Sequence, residues 1–150
     1  MLKAYYHSPI GIIEITSQNS AIHSILFVEQ AFKNDADELL NNCLLQLDEY
    51  FQGQRKEFSI PYQQEGTAFQ QKVWEALTHI PYGQTWSYSD QAKFIHKSQA
   101  IRAVGGTNGK NQLTILVPCH RVIGKDGSLT GYGGTLPRKK WLLEHERKFS

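Results

Sequence analysis

The sequence predicts an α/β protein in two lobes. Residues 1–65 form a small N-terminal antiparallel sheet with one helix, and residues 66–150 form a helical C-terminal lobe containing a helix-turn-helix. Three observations predict this. Short β-branched and aromatic runs alternate with turn residues at the start, a single amphipathic stripe follows, and from Thr67 onward short helical patterns open one after another on capping residues. With 150 residues, 40% of them hydrophobic, the chain can build one compact domain or two small lobes. No tract is low-complexity and no internal repeat is visible, which excludes a disordered or solenoid protein.

Met1–Tyr6, Gly11–Thr16 and Ala21–Val28 read as strands, separated by Ser8-Pro9 and by Ser17-Gln18-Asn19-Ser20, both of turn-forming composition. Ala36, Leu39, Leu40, Cys43, Leu44, Leu47, Tyr50 and Phe51 then recur at three- and four-residue steps. That is one apolar face of a helix stopped by Gly53, with Cys43 as a core residue. Gln52–Glu65 reads as a linker with a short edge segment, Phe58-Ser59-Ile60-Pro61.

In the second lobe, Thr67 with Gln70 is a capping box, and Phe69, Val73, Leu77 and Ile80 continue the stripe until Pro81-Tyr82-Gly83 stops it. Ser87 with Asp90 opens a short helix through about Ile95, and Ser98 is expected to cap a third over Gln99–Val104, ended by Gly105-Gly106. Two short helices joined by a tight turn form a helix-turn-helix signature. Leu113–Val117 is expected to be a buried strand stopped by Pro118. A loop around Lys125-Asp126-Gly127-Ser128 leads to Gly131-Tyr132-Gly133-Gly134. Pro137 then suits the first turn of a last helix, Arg138–Glu146, with His145 expected at the surface.

The net charge of +2 conceals an asymmetry. Residues 1–65 carry four Lys and Arg against nine Asp and Glu, whereas residues 66–150 carry twelve against five. A basic second half suits a polyanionic partner. The N-terminus lacks the apolar core of a signal peptide, and the early apolar run Ser24–Val28 is far short of a membrane span, so a cytoplasmic protein is expected. Its two cysteines, Cys43 and Cys119, are expected to be reduced. No Cys-x-x-Cys spacing occurs and the six histidines are scattered, so neither a metal nor a cofactor is expected.

The run Pro118-Cys119-His120-Arg121-Val122 stands out chemically. A cysteine attacks as thiolate, and nearby basic groups favour that form. On spacing alone, Cys119 is open to two readings, a nucleophile or a buried structural cysteine.

The longer run Ile115–Val122 resembles the active-site signature of the O6-alkylguanine-DNA alkyltransferases (methylated-DNA–protein-cysteine methyltransferases). The resemblance continues in matching order through Thr67-Ala68-Phe69-Gln70, Val73-Trp74, Ile80-Pro81-Tyr82-Gly83, Ser87-Tyr88, Arg102-Ala103-Val104-Gly105 and Leu142-Leu143. It is close over about residues 66–147 and looser in the front half, through Ser8-Pro9-Ile10-Gly11. It implies a winged-helix-like back lobe that binds duplex DNA carrying alkylated guanine. The protein would act as a monomer and transfer the alkyl group irreversibly from O6 of guanine to Cys119, with O4 of thymine left open as a second target.

The same resemblance implies roles. His120 would take the thiol proton through a water, Glu146 would polarise the imidazole, and Asn111 would brace the active-site turn. Tyr88 would donate to the departing guanine. Tyr132 and Gly133 would wall the base pocket, with the Val122 carbonyl accepting from the guanine amino group. Arg102 would fill the gap in the stack, on a DNA-facing surface with Ala103, Ser98 and Gln99. Two local departures stand out: Lys110-Asn111-Gln112 replaces the family's Gly-Asn-Pro, and His96-Lys97-Ser98 replaces its Gly-x-Pro between the two helices.

Three alternatives predict other behaviour. A relative that binds the lesion without transfer would lack the acceptor cysteine. A helix-turn-helix regulator with a structural Cys119 would bind intact DNA sequence-specifically. A cysteine hydrolase using Cys119 and His120 would turn over.

Overall fold

The computed structural model describes residues 1–132 and 135–150. The chain divides into two compact units, Met1–Gln64 and Glu65–Ser150.

In the first unit, β1 (Leu2–Ser8), β2 (Gly11–Gln18) and β3 (Ala21–Val28) form an antiparallel sheet in that order. Pro9-Ile10 joins the first pair. Asn19-Ser20 joins the second with φ of 52° and 60°, the doubly left-handed turn whose twist matches a tight hairpin. Ala4, Ile13, Ile15, Ile22 and Ile25 are buried, as are Leu40, Cys43, Leu47 and Tyr50 of α1 (Glu38–Phe51), which packs on the sheet. The helix begins after Asp37, whose side chain caps Leu40 N–H at 3.0 Å.

Both sheet edges are covered. Along β1, Lys3 N–H donates to Asp35 Oδ2 and Tyr5 N–H to Asn34 Oδ1, each at 2.8 Å. Along β3, an isolated bridge forms at Tyr62, one residue past the expected edge segment: Ile22 N–H donates to Pro61 O at 2.9 Å and Gln63 N–H to Ile22 O at 3.0 Å. Cys43 is a core residue as expected, and burial pushes its thiol up to about 12.

The second unit opens on α2 (Ala68–Leu77) and α3 (Tyr88–Phe94), and both capping boxes form in full, Thr67 with Gln70 and Ser87 with Asp90. The third helix of this unit differs from expectation. Ser98 does not cap it. α4 starts after Ala100 and runs Ile101–Asn108, straight through Gly105-Gly106. Packing overrides the weak glycine propensity, because Val104, Thr107 and Asn108 are buried. Asn108 and Gln91 exchange two side-chain hydrogen bonds at 2.9 and 2.7 Å, and Gln91 also donates to Val73 O at 3.1 Å, pinning α2, α3 and α4 together.

The turn between α3 and α4 explains how the missing glycine is tolerated. His96 adopts φ 58°, the left-handed conformation that favours glycine. Its N–H donates to Lys93 O at 3.0 Å and that of Lys97 to Ala92 O at 2.9 Å, the paired bonds of a Schellman helix stop.

The expected strand at Leu113–Val117 is a second departure. These residues are buried, except for the half-buried Leu116, but they coil instead of extending. Leu116 N–H bonds Thr114 O in a γ-turn centred on Ile115 at φ 72°, and Val117 N–H bonds Leu113 O, both at 2.8 Å. Local closure satisfies backbone groups that composition alone assigned to a sheet. The strands that do form are minimal: β4 (Trp86–Ser87) pairs parallel with β5 (Val122–Ile123). Last comes α5 (Leu136–Phe149), longer at both ends than expected, with Pro137 in its first turn. His145 is buried, contrary to expectation, and stacks on Trp141 with ring centroids 4.7 Å apart. No helix among the described residues is long and apolar enough to cross a membrane.

Because His96 is exposed and left-handed, His96→Gly removes strain of about 1–2 kcal/mol while loosening the unfolded chain by about 0.5–1 kcal/mol. The expected outcome is a small stabilisation in urea unfolding. A destabilised variant would refute strain at this turn.

Candidate active site

Cys119 begins a single turn of 3-10 helix, Cys119–Arg121. The chain reaches it through a γ-turn centred on Pro118 (φ −80°, ψ 67°), closed by Cys119 N–H to Val117 O at 2.8 Å. Asn111 braces the approach. Its Nδ2 donates to Val117 O at 2.8 Å, and its Oδ1 accepts from Leu113 N–H at 3.1 Å. Replacing Gly-Asn-Pro with Lys110-Asn111-Gln112 therefore leaves the asparagine's bridging bonds intact.

Cys119 is 8% exposed. Burial pushes its thiol above the ordinary range, against the opposing pull of a hydrogen bond from Asn111 and the Lys139 ammonium. The resting group is therefore a protonated thiol near neutral pH, and attack needs a proton acceptor.

His120 is the buried candidate for that acceptor. Its Nε2 lies 2.6 Å from Glu146 Oε2. A carboxylate can only accept, so Nε2 carries a proton, and in the neutral imidazole Nδ1 is the bare acceptor. Nδ1 is buried, without a hydrogen-bond partner among the described residues.

Glu146 is held from several sides: Arg121 Nε donates to Oε1 at 2.7 Å, Nη2 to Oε2 at 3.1 Å, and Gly83 N–H lies 3.5 Å from Oε1. Burial alone would raise this carboxyl, but His120 and Arg121 overcome it and hold the group well below the usual carboxylate range. Arg121 also donates to Ile80 O at 2.8 Å and lies over the Tyr82 ring. The sequence suggested Arg121 as a basic neighbour of the cysteine. In the structure it serves Glu146.

The cation acting on Cys119 is Lys139, which the sequence reading missed. It is fully buried, and Nζ donates to Val122 O at 2.6 Å and to Thr130 O at 2.8 Å. Burial pushes this lysine down to about 8, opposed by Cys119 when that thiol ionises. The only sequence signal was its position, three residues before Leu142 on the buried face of α5.

Tyr88, half-buried at the start of α3, donates to Thr130 O at 3.1 Å. The Tyr132 hydroxyl is buried without a hydrogen-bond partner among the described residues. Burial pushes its phenol well up, with Cys119 adding to the rise. Gly133 lies outside the described residues.

Arg102 and Ala103 are exposed on α4 beside Gly106, where an added Cβ would meet open space. Ser98 and Gln99 are exposed in the turn before that helix. The structure thus groups Cys119 with Asn111 and Lys139, and His120 with Glu146 and Arg121. The four helix-turn-helix positions stand apart on the surface. Among the described residues no cluster of three His, Cys, Asp or Glu side chains could hold a metal ion.

The chain is similar to known proteins over nearly its whole length. Residues 68–148 match the DNA-binding domain of 6-O-methylguanine DNA methyltransferase, and residues 1–64 match the ribonuclease-like domain of the same family. A constitutive methylated-DNA–protein-cysteine methyltransferase of Bacillus subtilis is 56% identical over 152 residues, covering 93% of this chain and 92% of that protein. The inducible one of the same organism is 44% identical over 145 residues, covering 93% and 81%. A Mycobacterium tuberculosis OGT solved in complex with DNA superimposes with a TM-score of 0.91 at 41% identity, covering 99% of this chain and 94% of that one.

Glu146→Gln leaves Arg121 buried without its counter-charge and should cost about 3–5 kcal/mol at pH 7. The folded carboxyl lies below its unfolded value, so the contribution is whole above about pH 4.3 and is lost as pH falls through the folded value. Urea unfolding should show the gap between wild type and variant narrowing in acid. A small gap that ignores pH would contradict the assignment.

Proposed function

The chain belongs to the 6-O-methylguanine DNA methyltransferase family, and on that premise we propose that it repairs alkylated guanine in duplex DNA by moving the alkyl group onto Cys119. The observation that carries this reading is a buried Cys119 on the same 3-10 turn as a histidine whose Nε2 lies 2.6 Å from a buried glutamate carboxylate.

The target carbon lies inside a stacked duplex, so the nucleotide must first swing out. That costs a few kcal/mol, which an inserted side chain partly offsets. Arg102 has the position for this. It is exposed on α4, and the small residues Ala103 and Gly106 on the same face let a DNA backbone approach closely. Phosphate contacts from the basic unit would make binding salt-dependent and largely indifferent to sequence.

In the transfer itself, His120 Nδ1 takes the thiol proton through a water, and Glu146 stabilises the resulting imidazolium. The sulfur attacks the alkyl carbon, an S–C bond forms, and the C–O6 bond breaks. The electron pair stays with guanine, and Tyr88 quenches the developing charge by donating to the ring. Asn111 holds the turn, the Val122 carbonyl receives the guanine amino group, and Tyr132 walls the pocket. The product is a thioether that nothing in the site reverses, so each molecule reacts once. We assign the protein to the cytoplasm, where both cysteines stay reduced, and to a monomeric state on DNA.

Intact-protein mass after mixing with a duplex carrying one O6-methylguanine should rise by one methylene unit on Cys119, saturating at one equivalent. Cys119→Ala should abolish the gain yet still bind DNA. Tight lesion binding by the wild type without a mass change would instead mark a non-transferring protein. Arg102→Ala should slow repair of duplex at least tenfold more than reaction with free O6-alkylguanine base, about 1.4 kcal/mol of the few kcal/mol at stake in flipping. Equal slowing of both would remove Arg102 from base extrusion.

A further inference from the structure

The Tyr88 hydroxyl is already engaged. It donates to the Thr130 carbonyl at 3.1 Å and accepts from Thr130 Oγ1 at 3.2 Å. The same carbonyl takes Lys139 Nζ at 2.8 Å, and Nζ reaches on to the Val122 carbonyl at 2.6 Å. A continuous chain of hydrogen bonds therefore joins the group proposed to donate to the departing guanine with the carbonyl proposed to receive its amino group.

On the strength of that reading, we propose that Thr130 is a positioning residue for alkyl transfer: its hydroxyl polarises and aims the Tyr88 phenol, and its carbonyl, anchored by Lys139, holds the phenol until the base arrives.

Three considerations carry this. A hydroxyl that accepts one hydrogen bond becomes a stronger donor in another, so Thr130 Oγ1 improves Tyr88 in its assigned task. A donor and an acceptor that must address one rigid purine together work best when their separation is fixed beforehand, and one ammonium bonded to both Thr130 O and Val122 O fixes it. Finally, Thr130 is exposed, and the next residue, Gly131, takes φ 51° with its Cβ position 3.7 Å from Tyr88 Oη. The loop is therefore shaped to lie against the phenol with little core packing of its own to satisfy.

A double-mutant cycle tests this, using Thr130→Val, Tyr88→Phe and the pair, with Thr130→Ser as rescue and Thr130→Ala in the cycle if valine does not fold. Single-turnover transfer is followed by intact mass across concentrations of O6-methylguanine duplex. Thr130→Val should slow the saturating rate about three- to tenfold, the worth of one hydrogen bond, and leave the half-saturating concentration unchanged within about twofold. Serine should restore the rate. In the Tyr88→Phe background the valine substitution should add less than about twofold, since its effect runs through the missing hydroxyl.

Equal slowing in both backgrounds, failure of serine to rescue, or an effect confined to half-saturation would overturn the proposal. The wild type provides the control. If it transfers but the cycle shows no coupling, this inference alone falls. If it transfers nothing, the function proposed above falls as well.

Discussion

One buried carboxylate organises the second unit. Glu146, 1% exposed on α5, meets His120 and Arg121 of the active-site turn, and through Arg121 the carbonyl of Ile80 that follows α2. Taking a carboxylate out of water is unfavourable unless it is fully paired, and here each oxygen has a cationic or N–H partner. The same pairing that permits burial also fixes the histidine's tautomer and leaves Nδ1 as the basic atom. Packing and chemistry thus depend on a single group.

The two cysteines show what local surroundings add to burial. Cys43 lies on an apolar helix face, and burial alone pushes its thiol up to about 12. Cys119 is also buried, but an amide and an ammonium oppose the rise. Presenting it that way requires an irregular approach, with Ile115 at φ 72° and a γ-turn at Pro118. A β-branched residue in the left-handed region costs of order 1–3 kcal/mol. The Asn111 bridges from Leu113 to Val117 span that strained segment and hold it in place.

The helices of this chain were legible in the sequence because their signals are local. The capping boxes at Thr67 and Ser87 predicted the starts of α2 and α3, and the stripe through Leu47 predicted α1. What escaped depends on particular bonds that composition does not announce. Leu113–Val117 has strand composition, but backbone bonds closed within the segment and the Asn111 amide that bridges it hold it coiled. Gly105-Gly106 looked like a helix end, yet α4 continues because Asn108 finds Gln91. Of the candidate site, the grouping of His120 with Glu146 and of Asn111 with the turn before Cys119 could be expected from the motif and its resemblance. Lys139, and the true partner of Arg121, could not. Long cationic side chains are expected in solvent, and no spacing rule says which one turns inward to bond two carbonyls.

The separation in sequence between Cys119 and the groups gathered around it also bears on synthesis. His120 reaches a carboxylate 26 positions further along, and the Val122 carbonyl reaches an ammonium 17 positions on. A nascent chain therefore exposes the thiol of Cys119 before α5 exists to complete its surroundings. During that interval the imidazole has no anion to fix it and the thiol has no ammonium nearby. A polypeptide truncated ahead of α5 would escape the burial that pushes the Cys119 thiol up and would carry it as an ordinary exposed cysteine, without the His120–Glu146 pair beside it.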